Sequence, residues 1–204
     1  MLIVGLTGNI GSGKTTIATI FKILGIEVYN SDQAGHRILN DSTTIPQLVS
    51  LLGEEILDSN KKPIRSKIAA KVFNNNNLLE QLNAIIHPLV QADFKRWTEE
   101  GIDSPFIIKE SAILFEAGID TTCDSTIAVT APETLRIERV LKRDHLTEAE
   151  IKSRISKQWA EEKKISLASY IIKNDGESFV IPQVVDIYNK LMKESQKKKG
   201  ALPQ

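Results

Sequence analysis

The chain lacks most of what marks secreted, membrane-spanning and nucleic-acid-coating proteins. Its 204 residues include a single cysteine, Cys123, so no internal disulfide can form, and no Cys/His cluster offers a zinc site. An excess of charge of one sign is also missing, since 26 basic and 26 acidic residues cancel to a formal net charge of zero. That balance argues against a global electrostatic hold on nucleic acid or membrane and leaves only a local basic patch. No stretch approaches the roughly 18 uninterrupted apolar residues of a membrane span. The N-terminal apolar segment is too short for a signal-peptide h-region and has no basic n-region before it. No internal repeat is evident. These absences lead to the expectation of a cytoplasmic protein with neither nucleic acid nor membrane as a partner. Hydrophobic residues at 41% and charged residues at 25% suit one α/β domain with room for an insertion.

What is present is a phosphate-binding loop. Gly8-Asn9-Ile10-Gly11-Ser12-Gly13-Lys14-Thr15 fits G-x-x-x-x-G-K-[ST] directly behind the apolar run Leu2-Ile3-Val4-Gly5-Leu6, the strand-loop-helix context the motif requires. Glycines at 8, 11 and 13 allow positive φ, so that backbone N–H groups turn inward on a phosphate. Lys14 supplies charge for the β/γ oxygens and the Thr15 hydroxyl suits Mg²⁺. The helix that follows aims its positive N-terminus at the same anion. A glycine-rich turn can simply join strand to helix, but eight matching positions with both flanks favour a nucleoside triphosphate site.

Strand one is Leu2 to Leu6, followed by a helix from about Lys14 to Leu24 with Gly25 as its C-terminal cap. Ile26 to Tyr29 is a second short strand. From Asp32 to about Glu100 the apolar spacing is helical, which predicts a helical insertion between two strands of a parallel sheet. The run Asn74 to Asn77 reads as a loop within it. Phe106 to Glu110, Ser125 to Thr130 and Tyr170 to Lys173 are the remaining strands. Pro132 opens a helix toward Arg143, and the capping box Thr147-x-x-Glu150 opens another running to about Lys164. A last amphipathic helix covers about Ser178 to Lys193, and the lysine-rich tail beyond has nothing to bury and is expected to be disordered.

Ligands of open parallel sheets bind at the C-terminal strand ends. Asp32, just past strand two, is placed there either as the base that orients an attacking hydroxyl or as a helix N-cap, and position alone does not separate the two. Glu110 ends strand three and could reach a metal through water, although Lys109 beside it could pair elsewhere. Arg136, Arg139, Lys142 and Arg143 recur at spacings of three and four, mostly on one helical face. A random helix with that pattern is a solvated face; here it follows strand four at the cleft, where a mobile lid would bring arginines onto the triphosphate. His87, alone on an apolar stretch, reads first as a packed residue, as do Trp97 and Trp159.

These residues together resemble the dephospho-CoA kinase family. Gly5-Leu6-Thr7-Gly8-Asn9-Ile10-Gly11-Ser12-Gly13-Lys14-Thr15 is similar to its G-L-T-G-G-I-G-S-G-K-S, departing at Asn9 and Thr15. Asn30-Ser31-Asp32 followed by Arg37 resembles D-A-D…R, His87-Pro88 its H-P, and Ala112-Ile113-Leu114-Phe115-Glu116 its P-L-L-F-E. Arg139 and Arg143 match its R…R-D, Arg154 and Gln158 its R…Q, and Asn174-Asp175-Gly176 its N-x-G. Ala112, Arg136 and Ser169 depart from the common proline, glutamine and aspartate. The resemblance covers about residues 1 to 190.

It implies a P-loop NTPase three-layer α/β fold with a parallel sheet, a helical substrate-binding insertion and a lid. The core would comprise 1–31, 105–138 and 166–195, the CoA-side insertion 32–104, the lid 139–165 and a disordered tail 196–204. The implied reaction moves the γ-phosphate of ATP, with Mg²⁺, to the ribose 3′-hydroxyl of dephospho-CoA. Asp32, Lys14 and Arg139 would be catalytic. Gly8, Asn9, Gly11, Ser12, Gly13, Lys14, Thr15, Thr16, Arg143 and Asn174 would bind ATP, with Thr15 on the metal. Asp32, Arg37, His87 and Glu116 would meet the acceptor, and a monomer is expected. One rival is a kinase for a nucleoside or nucleotide. Another is a GTPase-like switch, to which Asp32-Gln33-Ala34-Gly35 gives a D-x-x-G foothold but no N-K-x-D follows.

Overall fold

Alternating and β-branched apolar runs build a five-stranded sheet, all of it parallel. The strands are β1 (Leu2–Thr7), β2 (Glu27–Asn30), β3 (Phe106–Glu110), β4 (Ser125–Thr130) and β5 (Tyr170–Lys173), in spatial order β2-β3-β1-β4-β5. The helices are α1 (Lys14–Ile23), α2 (Ser31–Leu39), α3 (Ile45–Leu52), α4 (Arg65–Phe73), α5 (Asn76–Glu99), α6 (Glu133–Arg143), α7 (Glu148–Ile155), α8 (Glu161–Leu167) and α9 (Val180–Gly200). This is a computed structural model, and it describes residues 1–73, 75–144 and 146–200. The chain divides into two compact units, one of Met1–Asn30 with Ile102–Gln204 and the other of Ser31–Gly101.

In the first unit the pleat sorts side chains between two faces. Val4, Leu6, Phe106, Ile108, Ile127, Val129 and Ile172 form one core with Ile17 and Phe21 of α1 and Val184, Ile187 and Leu191 of α9. Phe21 meets Phe106 edge-on at 6.2 Å, a favourable aromatic geometry. On the opposite face Gly5 leaves room for Leu114 and Cys123; a Cβ there would lie 2.6 Å from Leu114 Cδ2. Burial pushes the Cys123 thiol up to about 11. β3, between β2 and β1 in the sheet, is buried at every position, including Lys109 and Glu110 at its end.

The second unit has its own core of Leu48, Leu52, Ile56, Ile68, Val72 and Leu82. Its polypeptide is helical as expected, but the asparagine run is not a loop. Asn76 and Asn77 begin α5 and Asn75 caps it, accepting from Leu78 N at 3.1 Å; Asn74 lies outside the described residues. Asparagine is a preferred N-cap because its side chain satisfies an otherwise orphaned N–H.

Two further expectations are corrected. The single helix expected from Thr147 to Lys164 is two, with its capping box intact at Thr147 and Glu150 but a break over 156–160. The disordered tail is a helix through Gly200, with 201–204 outside the described residues. The helix continues because Leu191 and Ser195 are buried, Ser195 Oγ donates to Pro105 O, and Lys198 pairs with Asp124 at 2.5 Å. Removing the Phe21 ring should lower the unfolding free energy by about 3–5 kcal/mol in a urea titration, since its site is fully enclosed. Lys198→Ala, which loses only a partly exposed ion pair, should change it by less than about 1 kcal/mol.

Candidate active site

The glycine-rich loop folds as a cradle between β1 and α1. Gly11 and Gly13 adopt φ of 79° and 95°, where a side chain is strained, and neither has space for one. A Cβ at Gly11 would run into Arg136 O, and one at Gly13 into Asn174 Nδ2. The loop is held from behind by the residues that follow β5. Asn174 N donates to Thr130 O at 2.8 Å, extending the sheet, and Asn174 Nδ2 donates to Ser12 O at 2.8 Å. Arg139 Nη2 donates to Asn174 O at 2.9 Å and to its Oδ1 at 3.3 Å, while Nη1 reaches Gly11 O at 3.4 Å. Asn174, expected as an ATP contact, is here a support for the loop.

The result is a cavity of about 350 Å³ lined by Gly11, Gly13, Lys14, Thr15, Thr16, Arg139, Val140 and Arg143. Three cationic side chains therefore share one small concavity with the first turn of a helix, an arrangement suited to a polyanion. Lys14 Nζ donates to Gly8 O at 2.8 Å, folding back across the loop. Arg143 donates from Nε and Nη2 to Asp144 at 2.9 Å each, and those bonds raise its already high pKa. The Thr15 hydroxyl, exposed at the cavity wall, is a hard oxygen donor of the kind Mg²⁺ takes, so the residue present fits that ion.

The four cations expected mostly on one face of α6 are divided between three environments. Arg139 and Arg143 face the cavity. Arg136 is 5% exposed; its Nε donates to Ala131 O at 3.0 Å, and Glu133 and Glu161 lie 3.7 and 3.8 Å from its guanidinium. Burial raises the Glu161 pKa more than Arg136 lowers it. Lys142 pairs with Glu138 at 2.6 Å on the exposed side. Only the i, i+4 pair 139/143 shares the cleft face, as helical geometry allows.

The break between α7 and α8 has a physical reason. Both peptide groups of Trp159 and the side chain of Gln158 bond to distant parts of the fold in place of the next helical turn. Gln158 Oε1 accepts from Ile10 N at 2.8 Å, Trp159 O accepts from Asn9 Nδ2 at 3.2 Å, and Trp159 N donates to Glu116 Oε1 at 3.2 Å. Lys164, 1% exposed, donates to Glu116 Oε1 at 2.7 Å and to Ala112 O at 2.9 Å. Glu116, expected as an acceptor contact, thus has one oxygen committed to this tie. Lys164 and Gln158 were not among the expected site residues. Gln158 carried a motif signal, whereas Lys164 was hidden in a charged run that reads as solvated.

Glu110 is buried and accepts from Asn30 Nδ2 at 2.8 Å, so the carboxylate expected to approach a metal holds the end of β2 to β3. Lys109 beside it is 2% exposed, and burial lowers its pKa. In the Ser31–Gly101 unit, Asp32 is exposed in the first turn of α2, where a carboxylate also complements the helix dipole. Arg37 pairs with Asp93 at 3.0 Å, and Asp93 is shared with Arg96 at 3.0 Å. His87 is half-buried in α5 before Pro88, and burial lowers its pKa, as expected of a packed histidine. Trp97 stacks on Phe94 at 6.0 Å, a packing role.

Residues 2–179 match the family described as dephospho-CoA kinase. The chain is 38% identical over 189 residues to the dephospho-CoA kinase of Porphyromonas gingivalis, covering 92% of this chain and 93% of that one. It is 35% identical over 185 residues to the dephospho-CoA kinase of Bacteroides fragilis, covering 90% of each. Among solved structures, dephospho-CoA kinase from Campylobacter jejuni superposes with a TM-score of 0.68 at 25% identity, over 94% of this chain and 98% of that one.

The tie at Glu116 yields a stability prediction. Lys164→Met should lower the unfolding free energy by about 3–5 kcal/mol, because it strands a buried carboxylate. Pairing it with Glu116→Met should recover most of that loss. A double variant no more stable than Lys164→Met in urea denaturation would show that Lys164 acts through Ala112 O alone.

Proposed function

The chain belongs to the dephospho-CoA kinase family and catalyses ATP-dependent phosphorylation of dephospho-CoA to coenzyme A, and we propose how its residues divide that task. The observation that carries the proposal is the cavity in which Lys14, Arg139 and Arg143 converge on the glycine-rich loop. Charge on a transferring phosphoryl group spreads over its oxygens, so fixed cations and backbone N–H groups stabilise the transition state more than the ground state. Lys14 swings from Gly8 O onto the β/γ oxygens. Arg139, already anchored to Asn174, holds its charge at a set position, and Arg143 exchanges Asp144 for phosphate. Thr15 would hold Mg²⁺, which when bound neutralises charge on the β- and γ-phosphates.

Asp32 is the proposed base. It stands in the first turn of α2, directly after the strand whose end Asn30 and Glu110 fix, and its carboxylate is exposed. There it orients the ribose 3′-hydroxyl for in-line attack and accepts its proton as the O–P bond forms and the bond to the ADP leaving oxygen breaks. Arg37 and His87, in the same helical unit, are assigned to acceptor binding, and that unit to the CoA-side substrate. The α7–α8 region is assigned as the lid that excludes water, which would otherwise compete as phosphoryl acceptor. Among the described residues no helix is long and apolar enough to cross a membrane, and both substrates are water-soluble, in keeping with a cytoplasmic enzyme.

Asp32→Asn keeps the shape and the capping capacity of the side chain but cannot take a proton. We expect ATP affinity within a few-fold of the parent and turnover lower by about 100-fold or more in an ADP-release assay. Loss of stability with turnover per folded molecule retained would reduce Asp32 to a helix cap. The acceptor is tested separately by kcat/KM for dephospho-CoA, adenosine and AMP at saturating Mg-ATP. Dephospho-CoA should be strongly preferred, with truncated acceptors losing turnover as well as affinity, because binding energy from the pantetheine arm aligns the reacting hydroxyl. Equal values, or a preference for AMP, would assign the chain to nucleotide phosphorylation.

A further inference from the structure

The first half of the phosphate loop is held by the connector between α7 and α8. Asn9 is 3% exposed, and its Nδ2 donates across the fold to Trp159 O at 3.2 Å. One residue on, the backbone N–H of Ile10 donates to Gln158 Oε1 at 2.8 Å. That N–H is engaged by a side chain of the connector. Trp159 is gripped at both ends of its own residue, with its N–H on Glu116 Oε1 at 3.2 Å and its carbonyl on Asn9. Lys163 Nζ lies 3.3 Å from the centroid of its indole. The second half of the loop is held elsewhere, by Asn174 on Ser12 O and Arg139 on Gly11 O.

These contacts do little for the two helices themselves. α7 ends at Ile155 with the Ser156 N–H bonded to Lys152 O, and α8 starts afresh at Glu161. What they fix is the placement of 156–160 on the loop. Asn9 Oδ1 and Ser12 Oγ are buried without a hydrogen-bond partner, so the polar groups of the loop have little support to spare once Asn9 Nδ2 is lost.

We propose that Asn9 is a positioning residue: it latches the α7–α8 connector onto the phosphate loop, with Gln158 as the second half of the latch, so that loop and connector take up the nucleotide-binding arrangement together. The sequence counts Asn9 among the phosphate-binding residues; its side chain works instead on the connector. Coupling of this kind is reciprocal, since a ligand that orders the loop favours the docked connector by the same factor as the docked connector favours the ligand. The proposal rests on the reading of the loop as the ATP site only for its choice of ligand.

Trp159 reports on the latch. The chain has two tryptophans, so a Trp97→Phe background leaves Trp159 as the single emitter. Acrylamide quenching of Trp159 is measured without nucleotide and with ATP, beside KM for ATP and for dephospho-CoA. Asn9→Ala and Gln158→Ala should each raise the nucleotide-free quenching constant. ATP should lower that constant again, and KM for ATP should rise about two- to tenfold, with KM for dephospho-CoA unchanged. Gln158→Glu, which keeps the acceptor for Ile10 N, should leave Trp159 as protected as in the parent. Folded Asn9→Ala and Gln158→Ala proteins with parental quenching would overturn the proposal, as would equal increases in both KM values. If Asn9→Ala does not fold, Gln158→Ala alone decides, because its side chain lies outside the loop. Quenching without nucleotide does not depend on the reaction, so failure of the acceptor assignment leaves this result readable.

Discussion

The hydrogen bond from Asn174 Nδ2 to Ser12 O is the contact around which the nucleotide-binding unit is organised. It runs from the residue that follows β5 to the middle of the glycine-rich loop, and it passes through the space a side chain on Gly13 would fill. Arg139 locks the same asparagine by two of its acceptors and touches Gly11 O as well. The constraint is therefore mutual. Gly13 has no room for a side chain because Asn174 is there, Asn174 is fixed to the end of β4 by its bond to Thr130 O, and Arg139 is aimed by the two acceptors of Asn174. A charge held in that way needs no reorganisation when anionic charge develops in front of it, which is the condition under which electrostatic stabilisation is largest.

Around the cradle, ionic groups are sorted by how much water they keep. Arg143 with Asp144 and Lys142 with Glu138 form pairs open to water, where such contacts contribute little to folding. Lys164 and Glu116 pair in the interior, where each would be untenable alone and where Ala112 O and the Trp159 N–H add bonds to Lys164 and to Glu116 Oε1, while Oε2 stays buried without a partner. The buried pair joins the segment after β3 to α8, so its value is positional as much as energetic. Arg136 shows the intermediate case, with its aliphatic stem and Nε enclosed and two carboxylates at the margin of contact.

Much of this was legible in the sequence, and the reason is local. Val4, Ile108 and Ile127 sit in short apolar runs bounded by turn residues, and a strand buried on both faces can be read from composition alone. The loop from Gly8 to Thr15 is equally readable, because its spacing of glycines before Lys14 is a local motif, even though the neighbours that crowd Gly11 and Gly13 come from far along the chain. What escaped was set by partners far away in the chain. The break after Ile155 has no proline or glycine to announce it; it exists because Gln158 and Trp159 bond to Ile10, Asn9 and Glu116. The tail through Lys198 reads as solvated until Asp124 and Pro105 are in place beside it. Arg136 and Lys142 look alike as basic residues of one helix, and the approach of Ala131 and Glu161 to Arg136 is what marks it as buried. Of the candidate site, the anion-binding half was visible as a motif, while the supports behind it were visible only as scattered polar residues.

The Ser31–Gly101 unit has a consequence that follows from where it enters the chain. It occupies the whole crossover between β2 and β3, two strands that are neighbours in the sheet. A parallel pair must be joined by a long connection in any case, and the entropic penalty of lengthening one grows only logarithmically. The unit has a hydrophobic core of its own. A change in length within this crossover can therefore be absorbed by the unit's own core, leaving the loop from Gly8 to Thr15 and its supports Arg139 and Asn174 where they are.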